Sequence, residues 1–411
     1  MSSSILRHLL LLACLCFLVP SSQAEDDEVD ASVHDHEHRK YMVCHNILYK
    51  AIDFTFDLYQ EPASWSKTTN VLLSPMSIVA AFAMISLGTK GDTHTEILKG
   101  LKFNLREMPE THIHHCFQLL LHLLQHPDQQ LQLTISSSLF VSDHLMLMSK
   151  SVQDVKELYH SGVNSINFRD IQFTSKQINN YVERETHGEI VDLVKDLEED
   201  TDLMLVNYIS LHGKWTVEFQ VEYTVEEDFY VDEVTSIRVP MIHRLGIFLL
   251  NRDEELSSWV LVQQSVGDTM AFFFLPDPGK MQQLEEGLTQ EHFDNILRTT
   301  EKRFARIHFP RLSISATYDL RSILSAMGIT KIFSDEADLS AMTEVSSIKL
   351  STAMLTIDKR GTETQWATDW EDRDWSESPT IKFNRPFIFF IREENTNLLL
   401  FLGKVVNPIE Q

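Results

Sequence analysis

The sequence is poor in cysteine, glycine and proline, and it has no excess of positive charge. Its 411 residues include 4 Cys, 13 Gly and 12 Pro, which argues against a disulfide-rich scaffold, a collagen-like repeat and long flexible linkers. Its 35 Lys and Arg stand against 60 Asp and Glu, for a formal net charge of −25. Nucleic-acid binding and adhesion to anionic membranes both need basic clusters, so we expect neither.

The sequence also lacks the motifs of common enzymes. It contains no G-x-S-x-G, H-E-x-x-H, C-x-x-C, G-x-G-x-x-G or phosphate-binding G-x4-G-K-[ST] pattern. Its hydrophobic fraction of 43% is that of a globular chain. We therefore predict a folded protein that is not an enzyme and that uses no metal and no cofactor.

Residues 1–24 have the pattern of a secretory signal peptide. The apolar run from Leu9 to Val19 is too short to span a bilayer, and Ser22 and Ala24 supply small residues at the cleavage positions. No later run reaches the length of about 18 apolar residues that a membrane span needs. We expect a secreted, extracellular chain that begins at Glu25 and has no membrane segment.

Residues 25–40 are acidic and without apolar periodicity, which is typical of a disordered tail. His34, His36 and His38 alternate in this stretch, and we interpret them as solvated side chains rather than as metal ligands. Cys44 and Cys116 are the cysteines left after signal cleavage, and both a bridge between them and two separate buried thiols remain open. The helix predicted around Cys116 is rich in histidine but poor in Lys and Arg, which disfavours heparin binding.

Helical and strand patterns alternate irregularly from residue 41 to the end, without a linker or a repeat. Ser74 to Leu87 is predicted to be a buried helix, capped by Ser74 and with Pro75 in its first turn. Further helices are predicted at Thr111–His126, Val152–Tyr159, Ser175–Arg184 and Tyr318–Met327. Runs of strand character occur at Leu131–Val141, Leu203–Leu211, Trp259–Val266, Met270–Leu275, Ala305–Phe309, Phe387–Ile391 and Leu398–Val405. The mixture predicts one large α+β domain over residues 41–411.

Three long stretches resemble the serpin family. They are Asn70 to Gly91, Leu205 to Thr216, and Ile381 to Ile391 followed by Phe401 to Pro408. The likeness is greatest to the alpha-1-antitrypsin group of serpins. It implies a monomer with three β-sheets, eight or nine helices and an exposed reactive loop at about residues 360–380. It also implies that an extracellular serine protease cuts the loop, which then inserts into the central sheet as a new strand and traps the enzyme.

The resemblance places the reactive bond between Trp375 and Ser376. The hinge that must insert first consists of Gly361, Thr362, Glu363, Thr364, Gln365, Trp366, Ala367 and Thr368. Inhibitory hinges have small residues where this chain has Thr364, Gln365 and Trp366. By strand alternation, Trp366 would turn toward the core together with residues 362, 364, 368, 370 and 372. A buried indole at this position would overpack the sheet.

The resemblance also identifies residues that hold the central sheet closed. Ser74, Ser77 and Asn207 match the polar cluster called the shutter, and Trp215 matches the tryptophan of the breach, where insertion starts. No histidine follows Leu350, although the alpha-1-antitrypsin group has one there within about four additional residues. We therefore expect a shortened strand before the hinge and an incomplete shutter.

Two departures, in the hinge and in the shutter, predict a serpin-fold protein with impaired or absent inhibitory activity. One alternative is a working inhibitor of a chymotrypsin-like enzyme that uses the Trp375–Ser376 bond as bait. Another is a carrier of small hydrophobic ligands or an extracellular binding protein.

Overall fold

The computed structural model describes residue 44 and residues 47–60, 68–124, 132–188, 190–195, 197, 201–212, 224–264, 269–312, 314–345, 348–359, 378–394 and 396–409. The contacts divide the chain into residues 1–46 and residues 47–411. In the first unit only Cys44 is described, and it is buried and disulfide-bonded. Cys116, in the second unit, is also buried and disulfide-bonded, so neither cysteine is a free thiol. The predicted signal peptide and acidic tail lie outside the described residues, as do residues 360–377 of the predicted loop.

Nine α-helices lie within the described residues. They are α1 (47–60), α2 (Pro75–Ser86), α3 (Gly91–Gly100), α4 (Glu110–Leu124), α5 (Ser149–Tyr159), α6 (Ile171–Glu185), α7 (Met281–Gly287), α8 (Gln290–Thr299) and α9 (Leu320–Ala326). A 3-10 turn, Lys331–Phe333, follows α9. No helix in these described ranges is long and apolar enough to cross a membrane.

A five-stranded sheet has the strand order β10-β11-β4-β2-β3. Its strands are β2 (Gln132–Ser142), β3 (Gly162–Ile166), β4 (Leu203–His212), β10 (Ile314–Asp319) and β11 (Leu350–Lys359). β4 pairs antiparallel with β2 but parallel with β11. Strand β11, which was expected to be shortened, has ten residues and an irregular register between Leu350 and Thr352.

A nine-stranded sheet contains the remaining strands. They are β1 (Val71–Leu73), β5 (Thr224–Tyr230), β6 (Ser236–Asp253), β7 (Ser258–Gln264), β8 (Thr269–Pro276), β9 (Glu301–Pro310), β12 (Thr380–Lys382), β13 (Phe387–Glu393) and β14 (Leu399–Val405). The long β6 pairs with β5 through residues 236–242, with β9 through residues 241–250 and with β7 through residues 249–253. Three sheets were expected, and the strands of the described residues pair into two continuous sheets. The α+β fold class is confirmed.

Helix α2 contains no charged residue, and every one of its 12 residues is buried. Pro75 occupies its first turn, as predicted. Ser74 is the N-cap residue, as predicted, but its hydroxyl makes no capping hydrogen bond. Helix α6 begins earlier than predicted, because the Asp170 carboxylate caps it by accepting from the Phe173 amide at 3.1 Å.

Candidate functional site

The seam between β4 and β11 is the central feature of the five-stranded sheet. The two strands are parallel neighbours, with pairs running from Thr352–Met204 to Asp358–Ser210. Parallel pairing is slightly weaker per residue than antiparallel pairing. Strand β11 ends at Lys359, and the predicted hinge begins two residues later at Gly361. We take this seam as the place where the loop strand predicted from the sequence would enter.

Both faces of β4 are covered along the seam. Met204, Val206 and Tyr208 point to one side and pack in a buried cluster with Ile178 and Val182 of α6. The alternate residues point to the other side, toward α2. Every residue from Leu203 to Ile209 has an exposed fraction of 1% or less. A new strand in this position would likewise have both faces inside the protein.

A buried polar cluster holds the middle of β4 against β2 and α2. The Asn207 side-chain amide donates to the Ser77 carbonyl oxygen at 2.8 Å and to the Ser137 hydroxyl at 3.0 Å. The Ser77 hydroxyl in turn donates to the Ser74 carbonyl oxygen at 2.9 Å. The structure thus brings together the three residues that the sequence assigned to the shutter, whose role in opening the sheet stays a prediction.

Two polar atoms in this cluster make no hydrogen bond. Asn207 Oδ1 and Ser74 Oγ are both buried without a partner, and leaving such a group unsatisfied costs about 1–3 kcal/mol. In β11 the register partner of Asn207 is Leu355, whose side chain has no hydrogen-bonding group. The gap therefore occurs beside the strand in which the expected histidine is absent.

Ser137 is a member of the cluster that the sequence reasoning did not identify. It is the register partner of Asn207 in β2. The run Ser136-Ser137-Ser138 in an otherwise apolar strand could have pointed to Ser137. Hydroxyl groups in a buried strand need hydrogen-bond partners. Ser138 shows the same behaviour on the opposite face, where its hydroxyl donates to the Tyr181 hydroxyl at 3.0 Å.

Strand β4, which borders the seam, has no charged side chain between Leu203 and Ile209. Tyr208 is the one ionisable group in this stretch, and burial raises its pKa to about 12, so it is neutral at physiological pH. The predicted hinge 361–368, the reactive-bond residues Trp375 and Ser376, and the breach residue Trp215 all lie outside the described residues.

A second candidate site is a cavity of about 810 Å³ lined by residues of α1, α7 and β14. One wall is polar: the Tyr59 hydroxyl donates to Glu285 Oε1 at 3.2 Å, and Lys404 Nζ donates to the same oxygen at 3.0 Å. Burial, together with the charge of Glu285, raises the pKa of Tyr59 well above its usual value, so its hydroxyl stays protonated and donates. Met281 and Val406 contribute apolar surface.

The sequence and the fold of this chain are both similar to those of known proteins. Residues 49–408 match the family described as serpin, serine protease inhibitor. The chain is 52% identical to human alpha-1-antitrypsin-related protein and 51% identical to pig alpha-1-antitrypsin, each over the full length of both proteins. Its fold superposes on human thyroxine-binding globulin, solved in complex with thyroxine, with a TM-score of 0.83 at 35% identity, covering 90% of this chain and 100% of that one. The chain therefore belongs to the serpin family, of the alpha-1-antitrypsin type.

Proposed function

We propose that this chain is a secreted, extracellular serpin whose inhibitory activity is impaired or absent. A serine protease of the chymotrypsin or trypsin class cuts its loop, at Trp375–Ser376 or after Arg373. The cut loop then inserts into the β4–β11 seam too slowly to trap the enzyme. The chain thus behaves as a substrate rather than as an inhibitor.

The covered faces of β4 are the observation that carries the proposal. Because α6 packs over one face and α2 lies against the other, each inserted side chain meets packed protein whichever way it points. Trp366 therefore has no solvent-facing position in the part of the seam beside residues 203–209. Forcing extra volume into a packed core typically costs about 1–3 kcal/mol.

Charge adds to this steric cost. The loop carries Asp369, Glu371 and Asp372 close behind the hinge, whereas β4 has no cationic side chain between residues 203 and 209. An inserted carboxylate in this part of the seam would lose its hydration without a counter-charge from β4, at an effective cost of several kcal/mol. Strand alternation sends Asp372 to one face and Glu371 to the other, so no choice of face avoids the cost.

The incomplete polar cluster is a separate departure and acts on the closed sheet. With Asn207 Oδ1 unpartnered, the closed sheet lacks one hydrogen bond, which weakens the closed state and does not itself raise the barrier to insertion. The proposed slow step therefore rests on the bulky hinge and on the loop carboxylates. Insertion competes with deacylation of the protease, and a barrier higher by about 1.4 kcal/mol slows insertion tenfold.

The test is to incubate the secreted chain with chymotrypsin-like and trypsin-like proteases and to separate the products on denaturing gels. We expect a cleaved chain, active protease and little SDS-resistant complex. A triple variant, T364A/Q365A/W366A, restores small residues to the hinge and should raise the complexed fraction by tenfold or more if the barrier falls by about 1.4 kcal/mol. Trp366→Phe keeps an aromatic ring and serves as the matched control.

An SDS-resistant complex of the unaltered chain at near-unit stoichiometry would contradict the proposal. It would show that the chain is a working inhibitor whose reactive bond is Trp375–Ser376. Thermal unfolding after cleavage gives an independent measure. A cleaved chain with an unchanged Tm indicates a sheet that stays closed, whereas a large rise indicates that the loop inserts in spite of Trp366.

A second candidate function is the carriage of a small hydrophobic ligand, and the 810 Å³ cavity favours it. Pockets of about 300–1,000 Å³ with an apolar lining and a few polar groups are typical of ligand sites. Equilibrium binding of thyroxine and of a steroid to the full chain tests this. Met281→Trp, which fills the cavity, should abolish binding, and Gln283→Ala on the same helix should not.

A further inference from the structure

Three side chains from distant parts of the sequence meet on the nine-stranded sheet. Glu227 lies on β5, His243 on β6 and His308 on β9, and the two histidines are direct register partners. Glu227 Oε1 is 2.7 Å from His243 Nε2 and 3.1 Å from His308 Nδ1. One ligand atom from each residue lies within 4.8 Å of the other two. The sequence had predicted no metal site, because these residues form no local motif.

The arrangement is not that of a simple ion pair. The two imidazole rings stack with their centroids 3.7 Å apart and an angle of 19° between their planes. His243 Nε2 is close to the carboxylate but makes no hydrogen bond. His308 Nε2 is also buried without a hydrogen-bond partner. Two unsatisfied buried nitrogens cost stability, and a bound ion would accept a lone pair from such a nitrogen.

The charge state of the cluster suits a divalent cation. The carboxylate of Glu227 supplies a negative charge. Lys382 Nζ is 3.8 Å from Glu227 Oε2, but its side chain is 46% exposed, so the ammonium group can move into solvent when an ion enters.

We infer that Glu227, His243 and His308 form a zinc site. Zinc sites with three protein ligands can use two imidazole nitrogens and one carboxylate oxygen. A water molecule is then the fourth ligand and completes the tetrahedron. The side chains of Glu227 and His243 are 21% and 30% exposed, which leaves an entry path and room for that water. His308 is also the register partner of Lys382 in β12, the strand that follows the loop segment. A zinc ion here links β5, β6 and β9 beside that strand.

The test is titration of the full secreted chain with Zn²⁺ by isothermal calorimetry, and with Co²⁺ as a spectroscopic probe of four-coordinate geometry. His243→Gln should lower the zinc affinity of one site at least tenfold, given that loss of an outer-shell partner already costs about 10–100-fold. It should also remove the visible absorption bands of tetrahedral Co²⁺. Glu227→Gln should give the same result if His243→Gln disturbs folding.

The histidines of the acidic tail are the necessary control. A triple variant, H34Q/H36Q/H38Q, should keep the affinity and the Co²⁺ bands of this site. The wild-type Tm should rise with added Zn²⁺, and that of His243→Gln should not. Equal zinc affinity and stoichiometry in wild type and His243→Gln, or loss of the Co²⁺ bands in the tail variant alone, would overturn the assignment.

Discussion

Replacing Glu285 by methionine should destabilise the protein far more than the same change at the neighbouring glutamate. Glu285 Oε1 accepts from Tyr59 of α1 and from Lys404 of β14, so one carboxylate joins three elements of the fold. Methionine has a similar length but offers no such acceptor. The change leaves the Lys404 ammonium, whose side chain is 4% exposed, without the carboxylate that lies 3.0 Å away.

The magnitude follows from this burial. Removing one partner of a fully buried ion pair costs about 3–5 kcal/mol, whereas exposed pairs contribute about 0–1 kcal/mol. The Glu285 side chain is 22% exposed, so solvent screens part of the interaction. We expect a loss of about 2–4 kcal/mol in the free energy of unfolding.

Urea unfolding followed by circular dichroism measures this loss, with Glu286→Met as the matched control. Glu286 lies on the same helix, is exposed and accepts from Gln282 at 2.8 Å. Its replacement should change the free energy of unfolding by no more than about 0.5 kcal/mol. Equal effects of the two substitutions would refute the claim that the buried Lys404 makes the difference.

Two further predictions concern the nine-stranded sheet and its border. Gly403→Ala should lower the Tm and cost about 1–3 kcal/mol or more, because an added Cβ would lie 2.5 Å from the Phe389 ring and 2.8 Å from the Val71 carbonyl oxygen; an unchanged Tm in calorimetry would contradict this contact. Asp277→Asn should destabilise the protein at neutral pH, because hydrogen bonds from Arg252 lower the pKa of Asp277. A lowered folded-state pKa stabilises the protein above the ordinary aspartate pKa of about 3.9, and this contribution is lost as the pH falls toward the lowered value. Urea unfolding at several pH values should therefore show the difference between the two proteins shrinking below about pH 4, and a constant difference would point to a cause other than charge.

Elements with a strong local pattern could be predicted from the sequence. The apolar run after Ser74 indicated α2, and apolar runs of strand length indicated β4, β8, β13 and β14. Strands β5 and β6 were missed, because charged and polar residues interrupt them and because β6 continues for 18 residues across two parts of one sheet. The start predicted at Tyr318 for helix α9 was early, since β10 pairing with β11 holds the chain extended as far as Asp319.

The polar cluster around Asn207 shows which site residues the family resemblance could identify and which it could not. Ser74, Ser77 and Asn207 were identified by likeness to a family motif, but Ser137 was not, because its role depends on lying opposite Asn207 in the paired strand. The absence of a histidine after Leu350 was visible in the sequence. The unpartnered Asn207 Oδ1 could be seen only after β4, β2 and α2 had been placed together.

The sequence alone determined the fold class, the family and the unusual chemistry of the loop, because long local motifs and single residues such as Trp366 carry that information. The tertiary structure decided what surrounds those residues. It covered both faces of β4, and it brought Glu227, His243 and His308 together from strands separated by many residues. Hydrogen bonds, burial and ligand geometry depend on which strands become neighbours, and strand pairing across a large sheet is a non-local property that no short segment of the chain encodes.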